Sequence, residues 1–220
     1  ASLCGENAKC KIENSLTSKI DSLGLRVFRN RRVIEKYAGK EWSEIKSMIE
    51  MSFRTEGEAK EVFGVSGTLP MFRSSVIEEV GLFDLSYGSY KEDVDLAFRL
   101  RSAGHKAFVL LNAVSHHDRT GIDIGPVKNK KNQPEYIKYN SYKNHLMTLY
   151  KNEYWQNLLL DLPWILWYEL RKFSYFLLFD RKVLVGLRDI WRIRKELKIK
   201  RLKIKKLRKI SWREMRKWWL

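Results

Sequence analysis

Residues 92–117 read EDVDLAFRLRSAGHKAFVLLNAVSHH, and the order of patterns within this stretch decides the fold class. Its first part carries apolar residues at helical spacing and is followed by Gly104, which predicts a helix over residues 92–103. Residues 106–113 are short and apolar, which predicts a buried strand. Two histidines follow the strand directly. This stretch therefore predicts both a helix and a strand.

The segment upstream is apolar but punctuated. Residues 62–72 are interrupted by Gly64, Gly67 and Pro70, which indicates that backbone passes close to another group there. Residues 25–35 alternate enough to predict a strand or an extended arm. Residues 37–60 are highly charged and are predicted to form a surface loop with room for one helical turn.

A short helix is predicted over residues 75–80, which read SVIEEV. Ser74 or Ser75 can cap its start, Glu78 is placed to complete a capping box, and Gly81 can end it.

From Glu135 onward the apolar period is helical to the end of the chain. Residues 157–179 are very apolar, but four charges interrupt them and Pro163 predicts a kink. Because a simple transmembrane span needs about 20 predominantly apolar residues, this pattern favours an amphipathic helix at a membrane interface. Seven of the eight tryptophans lie between Trp155 and Trp219, and tryptophan prefers the headgroup level of a bilayer.

The net charge of +17 is concentrated at one end. Residues 181–220 contain 17 Lys and Arg against three acids, which leaves a charge of only +3 on the other 180 residues. The sequence therefore predicts three parts, namely residues 1–134 as a globular α/β domain, residues 135–180 as an amphipathic helical region and residues 181–220 as a basic helical tail. A basic tail of this kind binds an anionic surface, either a membrane or nucleic acid. The two cysteines, Cys4 and Cys10, favour a reduced cytosolic setting.

Five short motifs occur in a fixed order along residues 64–116. They are Gly64-Val65-Ser66-Gly67, Arg73-Ser74-Ser75, Val80-Gly81-Leu82-Phe83-Asp84, Glu92-Asp93-Val94-Asp95-Leu96 and Ala113-Val114-Ser115-His116. In this order and spacing the chain resembles the second half of family 2 glycosyltransferases, particularly the rhamnosyltransferase-like members. The resemblance implies a partial GT-A fold, the acceptor-side half of a mixed sheet flanked by helices, followed by the amphipathic basic tail.

The resemblance also implies site residues. Asp93 corresponds to the base that removes the acceptor proton, and Glu92 is expected to orient it or to bind acceptor hydroxyls. Ser66 and Gly67 are expected to approach the sugar or acceptor. His116 corresponds to a histidine that reaches a divalent cation, Mg²⁺ or Mn²⁺, or the donor diphosphate, with His117 as the alternative if the register shifts by one.

The nucleotide-binding half of such enzymes is not recognised ahead of Leu25, so the chain is expected to be catalytically incomplete as it stands. Asp93-Val94-Asp95 has the Asp-x-Asp spelling but matches the later acidic motif, so it is not interpreted as the nucleotide–metal motif. Two departures stand out. Lys91 replaces a large aromatic residue before the acids, and residues 116–119, HHDR, replace a glycine-rich run.

Plainer explanations stay open for these residues. Acids in a first helical turn complement the helix dipole, and a histidine after a strand can be an ordinary loop residue. Gly64 and Gly67 could form a tight packing turn, and Arg99 and Arg101 could be a solvated face or intrahelical partners.

The predicted function is sugar transfer from a nucleotide-sugar donor to a glycan or lipid-linked acceptor, by a peripheral protein on the cytoplasmic face of the cell membrane. The alternatives are an inactive membrane-bound remnant and, less favoured, a nucleic-acid-binding protein. Tryptophan-rich helices are unusual on DNA, and no recognised nucleic-acid motif is present, so no nucleic-acid partner is expected.

Overall fold

The computed structural model of this chain describes residues 18–54, 59–111, 113–117 and 133–219. The fold is mixed α/β, 58% helical with two small antiparallel sheets, which confirms the predicted class. The strands are β1 (Leu25–Val27), β2 (Val33–Glu35), β3 (Ala59–Val62) and β4 (Ala107–Leu110). The helices are α1 (Trp42–Arg54), α2 (Ser74–Val80), α3 (Glu92–Ser102), α4 (Glu135–Asn152), α5 (Trp155–Leu160), α6 (Leu162–Phe179), α7 (Val185–Arg192), α8 (Arg194–Leu207) and α9 (Trp212–Arg216). Two 3₁₀ turns cover Leu85–Tyr87 and Arg181–Leu184.

Within the described residues the strands form two separate antiparallel pairs, β1–β2 and β3–β4. The arm predicted over residues 25–35 is the β1–β2 hairpin, in which Leu25 lies opposite Glu35. β4 falls within the predicted strand, but it is not buried, since its residues alternate between half-buried and exposed. In a two-stranded sheet both strands are edge strands, and only one face of the sheet packs on the protein. This explains why β4 is half exposed instead of buried.

The helix predicted from residue 92 is confirmed as α3, and Gly104 follows it with φ +84°. The short helix is confirmed as α2 and ends at Gly81, whose φ is +80°. The predicted capping box is wrong, because α2 begins one residue earlier, after Arg73, and has no side-chain cap.

The prediction of a surface loop over residues 37–60 is also wrong, because α1 occupies residues 42–54. Ile45 and Ile49 lie four residues apart on one face of α1 and are both buried, in a cluster with Ile20. This narrow apolar stripe is the only sequence signal that distinguishes α1 from a charged loop. It was not detected because many of the surrounding residues are charged.

The helical stretch 157–179 is interrupted near Pro163 as predicted, at Asp161 between α5 and α6, and Pro163 lies at the start of α6. It occupies the first turn, where the backbone N–H that proline lacks would have no intrahelical partner. None of the helices in the described part of the chain is long and apolar enough to cross a membrane.

The basic C-terminal residues pack onto the rest of the fold. Met215 and Trp219 are buried with residues of the β1–β2 hairpin and α3. The members of this cluster are Leu25, Val27, Phe63, Val94, Ala97, Phe98, Tyr154, Met215 and Trp219. Trp219 also makes an isolated parallel bridge with Val27. Residues 181–219 are thus helical, as predicted, and supply part of the main core.

Candidate active site

The side chain of Asp93 is fixed by two backbone N–H groups at the start of α3. One carboxylate oxygen accepts a hydrogen bond from the Gly67 N–H at 3.2 Å, and the other accepts one from the Val94 N–H at 2.7 Å. Ser66 precedes Gly67, and its hydroxyl lies 3.2 Å from that of Thr68. The structure therefore places three of the predicted residues, Asp93, Ser66 and Gly67, side by side.

The two glycines of this segment have different surroundings. A Cβ on Gly64 would lie 2.3 Å from the Cβ of Ala97 in α3, so Gly64 is required for close packing of the loop on the helix. A Cβ on Gly67 would lie 3.4 Å from the Cβ of Asp93, which is ordinary contact. The packing explanation holds for Gly64, whereas Gly67 contributes its N–H group to Asp93.

Glu92 has an unfavourable environment for a carboxylate. Its Oε2 atom is buried and has no hydrogen-bond partner among the described residues. Burial raises the pKa of Glu92, and the neighbouring charge of Asp93 raises it further. Buried polar atoms without partners are rare, and carboxylates with raised pKa values concentrate at functional sites.

The turn that leads into α3 is strained. Tyr90 and Lys91 both have positive φ angles, 70° and 68°, and for residues other than glycine this costs about 1–2 kcal/mol each. Asn144 of α4 holds the turn, because its amide nitrogen lies within hydrogen-bond distance of the carbonyl oxygens of Tyr87 (3.0 Å), Ser89 (2.8 Å) and Tyr90 (2.6 Å). Sequence reasoning missed Asn144, since an amide within an apolar helical pattern carries no signal of its partners.

Asp95 lies two residues after Asp93 and points into the protein. It is fully buried and accepts hydrogen bonds from the Tyr87 hydroxyl at 3.1 Å and the Asn152 amide at 2.8 Å. Arg99 and Lys151 each form an ion pair with it at 2.9 Å. Asp95 therefore anchors α3 to α4 and has a structural role.

Arg99 and Arg101 do not form the solvated face that was one of their two predicted explanations, because both are buried. Arg99 is an intrahelical partner of Asp95 and also donates to the carbonyl oxygens of Val80, Gly81 and Leu82. Arg101 donates to the carbonyl oxygen of Phe63 at 2.9 Å. Guanidinium groups that satisfy loop carbonyls in this way hold the glycine-containing segments against α3.

Asp84 caps and braces the turn that follows it. It accepts from the Ser86 N–H at 3.0 Å and pairs with Lys151 and Lys200, each at 2.6 Å. Burial acts to raise the pKa of Asp84, but the hydrogen bonds from the two lysines outweigh it and hold the pKa well below its usual range. Lys200 thereby ties α8 to the turn that precedes the site.

A buried histidine lies behind the strained turn. The Nε2 atom of His145 is 2.6 Å from a carboxylate oxygen of Glu169, and Lys91 is among the residues that line the narrow cleft beside it. Burial lowers the pKa of His145 to about 4, against the opposing effect of Glu169. Since a carboxylate only accepts hydrogen bonds, neutral His145 carries its proton on Nε2.

His116 and His117 lie on an exposed stretch after β4. The Nδ1 atom of His117 is 3.1 Å from a carboxylate oxygen of Asp21, and no hydrogen bond joins His116 to Asp93 or Glu92. The described residues contain no group of three or more His, Cys, Asp or Glu side chains that could hold a metal ion. These residues alone do not fit a complete cation site, so His116 as a metal ligand stays a prediction. Asp118 and Arg119, the last two residues of the run that replaces the family's glycine-rich segment, lie outside the described residues.

Comparison of this chain with protein-family models, with curated proteins and with solved structures found no match.

Proposed function

We propose that this chain is the acceptor-side part of an inverting family 2 glycosyltransferase with a partial GT-A fold, and that Asp93 is its catalytic base. The observation that carries the proposal is the setting of Asp93, a carboxylate whose two oxygens accept hydrogen bonds from the N–H groups of Gly67 and Val94. The donor is a nucleotide sugar and the acceptor a cell-surface or lipid-linked glycan.

The proposed step is a single displacement. The Asp93 carboxylate takes the proton of an acceptor hydroxyl as the acceptor oxygen forms a bond to the anomeric carbon of the donor sugar. The bond from that carbon to the diphosphate oxygen breaks, and its electron pair leaves with the nucleoside diphosphate. Attack from the opposite face inverts the anomeric configuration. A carboxylate with fixed orientation suits this role because general bases act only within hydrogen-bond reach of the proton.

The simpler explanation, in which the acids of α3 only complement the helix dipole, accounts neither for Asp95, which anchors α3 to α4, nor for Glu92. Asp95 is fully satisfied by α4 and by Arg99. Glu92 keeps a buried oxygen without a partner in the described part of the chain. A sugar hydroxyl that donates its proton to Glu92 Oε2 would satisfy this oxygen, which supports an acceptor site at this end of the helix.

A divalent cation, when bound, would neutralise charge on the leaving diphosphate. In the proposed enzyme His116 contributes one ligand, and the carboxylate ligands belong to a nucleotide-binding part. No step assigned to Asp93 or Glu92 depends on that ion.

The test is sugar transfer by the natural protein, assayed with a panel of radiolabelled nucleotide sugars and with the glycolipid fraction of its own cells as acceptor. Asp93→Asn keeps the shape of the side chain and removes its basicity, so transfer should fall about 10²- to 10⁴-fold while donor binding is unchanged. Glu78→Gln is the matched control, because Glu78 is an exposed acid on α2. Turnover by Asp93→Asn within a few-fold of the wild-type rate would remove the base assignment. A wild-type protein that is inactive with every donor would instead favour the inactive remnant.

A further inference from the structure

The outward face of α6 is apolar. Its large side chains are exposed in a nearly continuous row, where a helix on the surface of a water-soluble protein carries polar residues. The row consists of Leu162, Trp164, Leu166, Trp167, Leu170, Phe173, Leu177, Leu178 and Phe179. Arg171 is the charged residue that α6 exposes within this row. We call this set the α6 face.

The inward side of the same helix carries the polar groups. Glu169 bonds His145 of α4, and Lys172 lies 4.8 Å from the ring centroid of Tyr142 and 5.1 Å from that of Tyr168. Ile165 and Phe176 are the buried apolar residues of the helix. The charged residues Glu169 and Lys172 of α6 thus face α4, whereas most of its large apolar side chains face solvent.

The neighbouring elements continue the α6 face and add positive charge. Trp155, Leu159 and Leu160 of α5 are exposed just before it in the chain. Arg181 and Lys182 follow its last residue and are exposed as well. The whole protein carries a net charge of +17. Large apolar and aromatic side chains bordered by Lys and Arg are the composition of helices that lie in the headgroup region of a bilayer.

We propose that the α6 face docks on the surface of an anionic bilayer, with the helix lying in the plane of the interface and its apolar side chains inserted at the headgroup–acyl boundary. A second copy of the chain is the less suitable occupant, since it would bring a second charge of +17 to the contact, whereas anionic lipids oppose that charge. The docking itself does not depend on the proposed function. Only one part of the proposal rests on the proposed function, namely that a lipid-linked acceptor is presented to the enzyme at the same membrane surface.

The basic helix α8 is a poorer anchor, although its composition first suggested it. Leu197 and Ile204 are buried, and the Lys200 ammonium is bonded to the largely buried side chain of Asp84 and to Glu196 of its own helix. Its remaining lysines provide charge that attracts the protein to the bilayer, while Ile199 and Leu202 are the large apolar side chains that it exposes.

Two matched double variants separate the two helices. Trp167→Glu with Leu170→Glu changes the α6 face, where these side chains are 69% and 51% exposed. Ile199→Glu with Leu202→Glu changes α8 at side chains that are 55% and 50% exposed. Both variants add two negative charges at exposed positions, so a difference between them reports insertion rather than net charge. Circular dichroism confirms that each variant is folded.

The experiment is co-sedimentation of the full chain with vesicles of phosphatidylcholine and phosphatidylglycerol. The partition constant of the α6 variant should fall on the order of 100-fold, because two large apolar side chains no longer insert, whereas the α8 variant loses about tenfold or less through charge alone. Asp93→Asn should bind vesicles as the wild type does, so failed docking and failed catalysis are observed separately.

Three results would overturn the proposal. The first is an equal or larger loss of binding in the α8 variant. The second is a wild-type protein that ignores vesicles but forms a dimer that the α6 variant dissociates, which would make a second copy the occupant. The third is stronger co-sedimentation with duplex DNA than with vesicles at the same ionic strength.

Discussion

Trp219→Ala tests whether the C-terminal residues are part of the core. The Trp219 ring centroid lies 5.7 Å from that of Phe98 and 6.0 Å from that of Phe63, and the Arg31 guanidinium lies 4.6 Å from its ring. The side chain is only 9% exposed. Replacing a large buried aromatic residue by alanine costs about 3–5 kcal/mol, a large part of the 5–15 kcal/mol that stabilises a typical domain.

The size of the effect can be resolved further with Trp219→Phe. The indole nitrogen of Trp219 is buried and has no hydrogen-bond partner in the described part of the chain. Phenylalanine keeps much of the ring packing and removes that unsatisfied group, so the loss should be on the order of 1 kcal/mol.

Urea unfolding followed by far-ultraviolet circular dichroism gives the free energies, because this signal does not depend on tryptophan emission. Trp167→Ala is the control. It removes the same side chain at a position that is 69% exposed and should change the stability by less than about 0.5 kcal/mol. If Trp219→Ala were no more destabilising than Trp167→Ala, the C-terminal residues would not belong to the core. In that case, deletion of residues 181–220 would test membrane binding without unfolding the protein. The structure instead predicts that this deletion unfolds the protein.

Two further predictions concern titrating groups. Because the pKa of His145 in the folded state is about 4, below the value of about 6.5 in the unfolded chain, the unfolded state takes up this proton first and stability falls as the pH drops through that interval. Urea titrations at about pH 7 and about pH 5 should show a loss of about 2 kcal/mol that His145→Gln largely abolishes, and an unchanged slope in that variant would contradict the assignment. The pKa of Glu92 is raised, so its ionisation opposes folding as the pH rises above the ordinary carboxyl range, and Glu92→Gln should increase the free energy of unfolding at neutral pH. A Glu92→Gln protein that is less stable than wild type in the same titration would show that the carboxylate is structurally paired.

Local sequence signals were sufficient for the elements with clear punctuation. Gly81 and Gly104 have positive φ angles and mark the ends of α2 and α3 as predicted, because few other residues adopt that conformation without strain. The resemblance implied that Asp93 and Gly67 belong to one site, and the structure shows a hydrogen bond between them. Contacts between positions 26 residues apart could not have been derived from periodicity.

Composition does not reveal the direction of a side chain, which limited what could be predicted for the charged residues. Arg99 and Arg101 resemble solvent-facing charges in the sequence, yet their partners are backbone carbonyl groups of loops that no pattern places nearby. The basic segment 181–220 was assigned to a surface by its charge. Its few apolar residues, such as Met215 and Trp219, determine that it packs into the core.

The three acids at the start of α3 show how one helical turn can serve both stability and chemistry. Successive residues of a helix point about 100° apart, so Asp93 and Asp95 project in nearly opposite directions. Asp95 faces α4 and is held by Asn152 and Lys151, while Asp93 faces the loop at Gly67. Any movement of the helix start that displaced Asp93 would also break the buried bonds of Asp95, which are costly to lose. The bonds of Asp95 therefore help to hold the start of α3, and with it Asp93, in the placement that the proposed base role requires.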